Sequence, residues 1–132
     1  MSAQTTQPFQ AKEGCTAKLT ATIRDEDEAV IPAASLTTLT LLLYDQATQL
    51  ASPGSTAAVI NSRNRQDVLN VNGCTVSTGG ALAMVFTPAD NVILDTSSLT
   101  ERHVALFEYT YAVTKAGKEE VLIDVVNLTR TT

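Results

Sequence analysis

The amino-acid sequence predicts an all-β fold: an antiparallel β-sandwich of about seven strands, with one short helical turn and an extended N-terminal arm. Three observations carry this reading. Apolar and polar residues alternate strictly through "CTAKLTATIR", Cys15 to Arg24, the period of a strand with one buried face. Turn dipeptides recur between the apolar runs, at Pro53-Gly54, Asn72-Gly73 and Gly79-Gly80. The β-branched threonines of "LTTLTLLLYD" favour a strand over a helix.

The elements follow in order. Residues 1–13 are polar and rich in Gln and Thr, with Pro8 and Phe9 their notable features. They read as an extended arm outside the core, suited to ordering on a partner, and residues 14–132 read as the sandwich domain. Cys15, Ala17, Leu19, Ala21 and Ile23 line the buried face of the first strand. "DEDE", Asp25 to Glu28, is an acidic turn, and Pro32 marks an exit from pairing. In "LTTLTLLLYD" Leu39, Leu41 and Leu43 face one way, and Thr38, Thr40, Leu42 and Tyr44 the other. "QATQLASPGS" reads as a loop and "TAAVIN" as a short third strand. Asn72-Gly73 and Gly79-Gly80 accept the positive φ of tight turns, and Leu82, Met84 and Phe86 form an inward face. "TPADNVILD" is the best helical signal, with Thr87 as cap, Pro88 at the first position and Asp90 completing the box. "HVALFEYTYAVT" and "EEVLIDVVNLT" form a closing hairpin across "KAGK". Leu106 and Leu122 lie on the opposite side from the inward set, so that side is not purely solvated.

Composition narrows the function. The 132 residues suffice for one core without metals or disulfides. A net charge of −5 argues against direct nucleic-acid binding. No apolar run is long enough for a membrane span, and no signal-peptide pattern starts the chain, so folding in a cytoplasm is expected. Cys15 and Cys74 read as two buried thiols.

Little in the chain looks chemical. The single histidine, His103, leaves no multi-histidine metal site or Ser-His-Asp triad and reads as a strand-end residue. "DEDE" is a candidate for Ca²⁺, but it lacks the glycine and distant glutamate of a calcium loop and reads as an exposed hairpin tip. An enzyme would need it to cluster with Asp45, Asp90 or Asp95. Phe107, Tyr109 and Tyr111 suggest a sugar platform less well than a core face. No catalytic residue, cofactor or metal is expected.

The polar stretch "VINSRNRQDVLNVNG", Val59 to Gly73, reads as a structured connection around one end of the sandwich. Asn61 caps, Ser62 to Leu69 form a turn or short helix, and Val68 and Leu69 tuck inward. Arg63 and Arg65 make a local positive spot, able to grip a partner's carboxylate or to pair within the chain. With Pro8 and Phe9 they are the candidate interface residues.

Four stretches carry a resemblance: "INSRN…VLN.NG" at Ile60 to Gly73, "TPADN.I.D" at Thr87 to Asp95, "E.HVALFE.TY" at Glu101 to Tyr111, and "GK.EV" at Gly117 to Val121. The chain resembles small immunoglobulin-like proteins of tailed bacteriophages, found in baseplate-type, neck and capsid-associated positions of the virion. The resemblance spans about residues 15–129 and implies an immunoglobulin-like sandwich. It also implies a non-enzymatic virion structural protein, assembled in the host cytoplasm, whose partners are other virion proteins and copies of itself. The alternative it leaves is a receptor- or carbohydrate-binding module at the virion surface.

Overall fold

The computed structural model describes residues 9–128, whose strands form two facing sheets. Strands β1 (Phe9–Lys12), β3 (Leu36–Asp45), β4 (Gln66–Asp67), β7 (Thr100–Tyr111) and β8 (Lys115–Val126) make a five-stranded sheet in the order β1-β8-β7-β3-β4. Strands β2 (Ala17–Thr22), β5 (Cys74–Val76) and β6 (Ala81–Phe86) make the second, in the order β2-β6-β5. Every pairing is antiparallel except β1 with β8. In immunoglobulin lettering this is B-E-D facing G-F-C-C′, with an N-terminal strand laid along G. The protein is an immunoglobulin-like β-sandwich.

The core is what the alternation predicts. Leu39, Leu41 and Leu43 of β3 and Phe107 and Tyr109 of β7 point inward, with Val121, Ile123 and Val125 of β8. Leu19, Leu82, Met84 and Phe86 face them from the other sheet. Each large side chain removed from water contributes about 1.5–3 kcal/mol. No disulfide joins the sheets: both cysteines are free, Cys74 buried and Cys15 exposed. The expectation of two buried thiols therefore fails at Cys15. It lies just before β2, where the ladder has not begun and alternation no longer dictates facing.

Four local readings are corrected. The N-terminal arm was expected to stay outside the core up to residue 13, but β1 pairs with β8 from Phe9↔Ile123 to Lys12↔Val126. Ala11 is buried, and the Phe9 ring packs 6.3 Å from that of Phe86. The short run is extended, and β8 offers it an open edge. The helix lies not at Thr87–Asp95 but at Gln46–Ala51 (α1), where Asp45 accepts the Thr48 N–H. At Thr87 the expected carboxylate-to-backbone contact forms, Asp90 accepting the Thr87 N–H at 2.7 Å. Only one turn follows, because Asn91 reaches across to donate to the Cys15 carbonyl at 2.6 Å.

"TAAVIN" begins as a 3-10 turn at Thr56–Ala58 and then pairs with β3 at one isolated bridge, Val59–Tyr44, with the Ile60 N–H donating to the Leu43 carbonyl. The closing hairpin turns at Ala112 to Thr114, with Ala112 and Val113 left-handed at φ 48° and 68°, not across "KAGK". Gly117 is a strand residue instead. A Cβ there would stand 2.7 Å from the ring of Tyr109, which lies over it. Its glycine records a close approach and not a turn.

Candidate functional site

The connection at Ile60–Gly73 owes its composition to its backbone. Asn61, Ser62, Arg65, Asn70 and Asn72 all have positive φ, between 52° and 57°. Asparagine tolerates that left-handed region best among residues with a Cβ. The segment forms no helix; Gln66 and Asp67 pair instead with the edge of β3. Val68 is fully buried, as expected, and Leu69 packs partly against the core.

Arg63 is the centre of this segment, and it faces inward. Its side chain is 6% exposed, and its Nε and Nη2 donate to the two oxygens of Asp90 at 2.5 and 3.0 Å. Nη1 donates to Gln66 Oε1 at 2.7 Å and to the Asn72 carbonyl at 3.2 Å. Asp90 also accepts from Asn61 Nδ2 at 2.9 Å and from the backbone and hydroxyl of Thr87. Burial by itself would raise the Asp90 pKa, but the hydrogen bonds from Arg63, Asn61 and Thr87 outweigh it and hold the carboxyl below its ordinary value. Two of the four stretches that carry the resemblance thus meet in one buried polar node. Arg63 is spent inside the fold, which removes it from the candidate interface.

Arg65 stays on the surface. Its Nε donates to Glu108 Oε1 at 3.1 Å, and Lys118 Nζ lies 3.5 Å from the other oxygen. Phe9 is half-buried in the sheet, and Pro8 lies outside the described residues.

Beside Arg65 lies the feature the sequence flagged only in outline. On the outer side of the five-stranded sheet, Leu42 pairs with Leu106, Tyr44 with Val104, and Val104 with Leu122. Direct cross-strand partners have their Cβ atoms about 5 Å apart, so five apolar side chains make one contiguous patch. Val104 is buried among them and the other four are half-buried. Burial, with Glu120 nearby, raises the Tyr44 phenol above its ordinary pKa. Leu42, Tyr44 and Leu106 continue into an open groove with Val59, Asn64 and Arg65. The Arg65–Glu108–Lys118 group and the Arg102–Asp124 pair rim the patch with charge.

The acidic run serves its own turn. Asp25 accepts the N–H groups of Asp27 and Ala29, both at 2.9 Å. Glu26 accepts from the Tyr111 hydroxyl at 2.8 Å and pairs with Lys115 at 2.5 Å. The hydrogen bond from Lys115, then one from its own backbone and one from Tyr111, lower the Glu26 pKa to about 2. His103 departs from its expected strand-end role, for it is fully buried on the core face of β7. One histidine inside a strand has no local spacing signal. Its only trace was the i, i+2 relation to Glu101, which puts both on one face.

No protein-family model and no curated protein matches the chain. Among solved structures it is similar to the N-terminal Ig1-2 module of the Drosophila receptor protein tyrosine phosphatase DLAR, at 10% identity and a TM-score of 0.41. The match covers 96% of this chain and 48% of that one, so the chain spans about half of the module's length. Among the described residues no helix is long and apolar enough to cross a membrane.

Proposed function

We propose that the chain is a non-enzymatic structural protein of a tailed-bacteriophage virion, assembling through protein–protein contacts with other virion proteins and with copies of itself. One observation carries the assembly reading: the patch of Leu42, Tyr44, Val104, Leu106 and Leu122 on the outer side of the five-stranded sheet. An apolar centre rimmed by Arg65, Glu108, Lys118, Arg102 and Asp124 has the anatomy of a protein interface. The sequence resemblance supplies the virion context. It is consistent with motif residues that build a structural node at Arg63 and Asp90.

The test is made on purified particles. The chain is expected in their mass-spectrometric protein list, and Leu42→Glu/Leu106→Glu is expected to fold but to be lost from them. Circular dichroism establishes that the variant is folded. Absence of the wild-type chain from particles refutes the virion reading. Normal incorporation of a folded double variant refutes this face as the contact.

A further inference from the structure

Where the inner face of the five-stranded sheet ends, three ionisable side chains converge. Asp45 and His103 are direct cross-strand partners, and Glu101 lies two residues before His103 on the same side. Their exposures are 4%, 0% and 6%. One donor atom from each lies within 4.8 Å of the others.

The hydrogen bonds around the group are nearly complete. Glu101 accepts the N–H of Leu94 at 2.9 Å on Oε1 and that of Asp95 at 2.8 Å on Oε2. His103 Nε2 sits 2.7 Å from Glu101 Oε1. Asp45 Oδ2 accepts the backbone N–H and the hydroxyl of Thr48 at 3.1 and 2.5 Å. Two buried atoms are left without a hydrogen-bond partner, Asp45 Oδ1 and His103 Nδ1. Among the described residues no lysine or arginine forms a salt bridge with either carboxylate. Two carboxyl groups and an imidazole are thus gathered out of water with two polar atoms unsatisfied, an arrangement that costs free energy until a partner fills it.

We propose that Asp45, Glu101 and His103 bind a divalent first-row transition-metal ion, best matched by Zn²⁺. One imidazole nitrogen with two carboxylate oxygens is a donor set this ion takes readily, and the dication balances the two carboxylates with His103 neutral. Donors about 2.0–2.2 Å from such an ion stand roughly 3–4 Å from one another. The three donor atoms, all within 4.8 Å of one another, stand near that spacing. The N–H groups of Leu94, Asp95 and Thr48 orient the carboxylates, as the surroundings of a metal site do. Asp45 and Glu101, though not His103, also line a surface depression with Thr48, Ser98, Thr100 and Arg102, so the group lies just beneath the surface. The bound ion ties the start of α1, the start of β7 and the connection at 91–99 together.

The test uses the full chain, stripped with a chelator and titrated with Zn²⁺ in a calorimeter. One ion per chain is expected, and a metal concentration about a hundred times Kd should raise Tm by about 10 °C. Co²⁺ in place of Zn²⁺ should show visible d–d bands without the near-ultraviolet thiolate band that Cys15 or Cys74 would produce. Asp45→Asn keeps the helix cap, since asparagine caps as well as aspartate. It should stay folded and bind at least tenfold more weakly, and His103→Gln should do the same. No heat and no Tm change up to about 1 mM Zn²⁺, a thiolate band, or either folded variant binding like the wild type would each overturn the proposal.

Discussion

Replacing Arg63 by methionine removes the charge and its donors while keeping most of the side chain's bulk. It leaves Asp90, whose side chain is fully buried, with three neutral donors from Asn61 and Thr87 in place of five contacts. Removing one partner of a buried ion pair costs about 3–5 kcal/mol, chiefly because the other charge stays desolvated. That cost includes the bonds that the same truncation removes from Gln66 and Asn72. A loss of about 4 kcal/mol is expected, against a total stability of roughly 5–15 kcal/mol for a domain. For a chain of this size that lowers Tm by about 15 °C.

Urea denaturation followed by far-ultraviolet circular dichroism measures the loss at pH 7. The double variant Arg63→Met/Asp90→Asn should recover about half of it, because no buried charge remains. The acid side supplies a second check. The folded pKa of Asp90 is depressed in the wild type, so its stabilising contribution is present above the unfolded carboxylate value and is lost as pH falls through the folded one. In the Arg63→Met chain burial is opposed only by the Asn61 and Thr87 hydrogen bonds and Asp90 takes up its proton at higher pH, so the deficit should shrink on acidification. A loss below about 1 kcal/mol at pH 7, or a deficit that does not change with pH, would refute the claim that this pair organises the connection.

Three further outcomes are expected. Gly117→Ala places a methyl 2.7 Å from the Tyr109 ring, which also donates its hydroxyl to the Arg24 carbonyl at 3.2 Å, and should cost roughly 1–3 kcal/mol in urea titration. Of the two free thiols, exposed Cys15 should react promptly with a disulfide reagent in the native protein. Burial, only partly offset by Arg63, pushes Cys74 up to about 11, so it should react only on unfolding. The Glu26 carboxyl, read by carbon NMR, should titrate near 2 and move up toward its ordinary value in Lys115→Met. Its stabilising contribution, present above the unfolded value, disappears as pH falls toward 2.

The strands were legible because their signal is local. Leu39, Leu41 and Leu43 alternate with Thr38, Thr40 and Leu42, and a period of two states both the strand and its buried face. The outward Leu42, Leu106 and Leu122 were legible for the same reason, although that they form one patch follows from the pairing of β3, β7 and β8. Gly117 was misread because a glycine that admits a ring and a glycine that makes a turn look alike in sequence. The helix was misplaced because the box at Thr87 and the cap at Asp45 are both good local starts. Tertiary contacts of Asp90 with Arg63 and of Asn91 with Cys15 decided between them.

By itself, then, the sequence determined the fold class, most strands and the direction in which their side chains point, all of which follow from neighbours a few residues apart. Only the tertiary structure decided that Arg63 turns inward to Asp90 and Arg65 outward to Glu108, two residues apart in one polar stretch. Only it decided that His103 lies against Asp45 and Glu101. Those contacts are set by sheet order and register, which bring distant strands side by side, and no periodicity within a single strand encodes which neighbour it will meet.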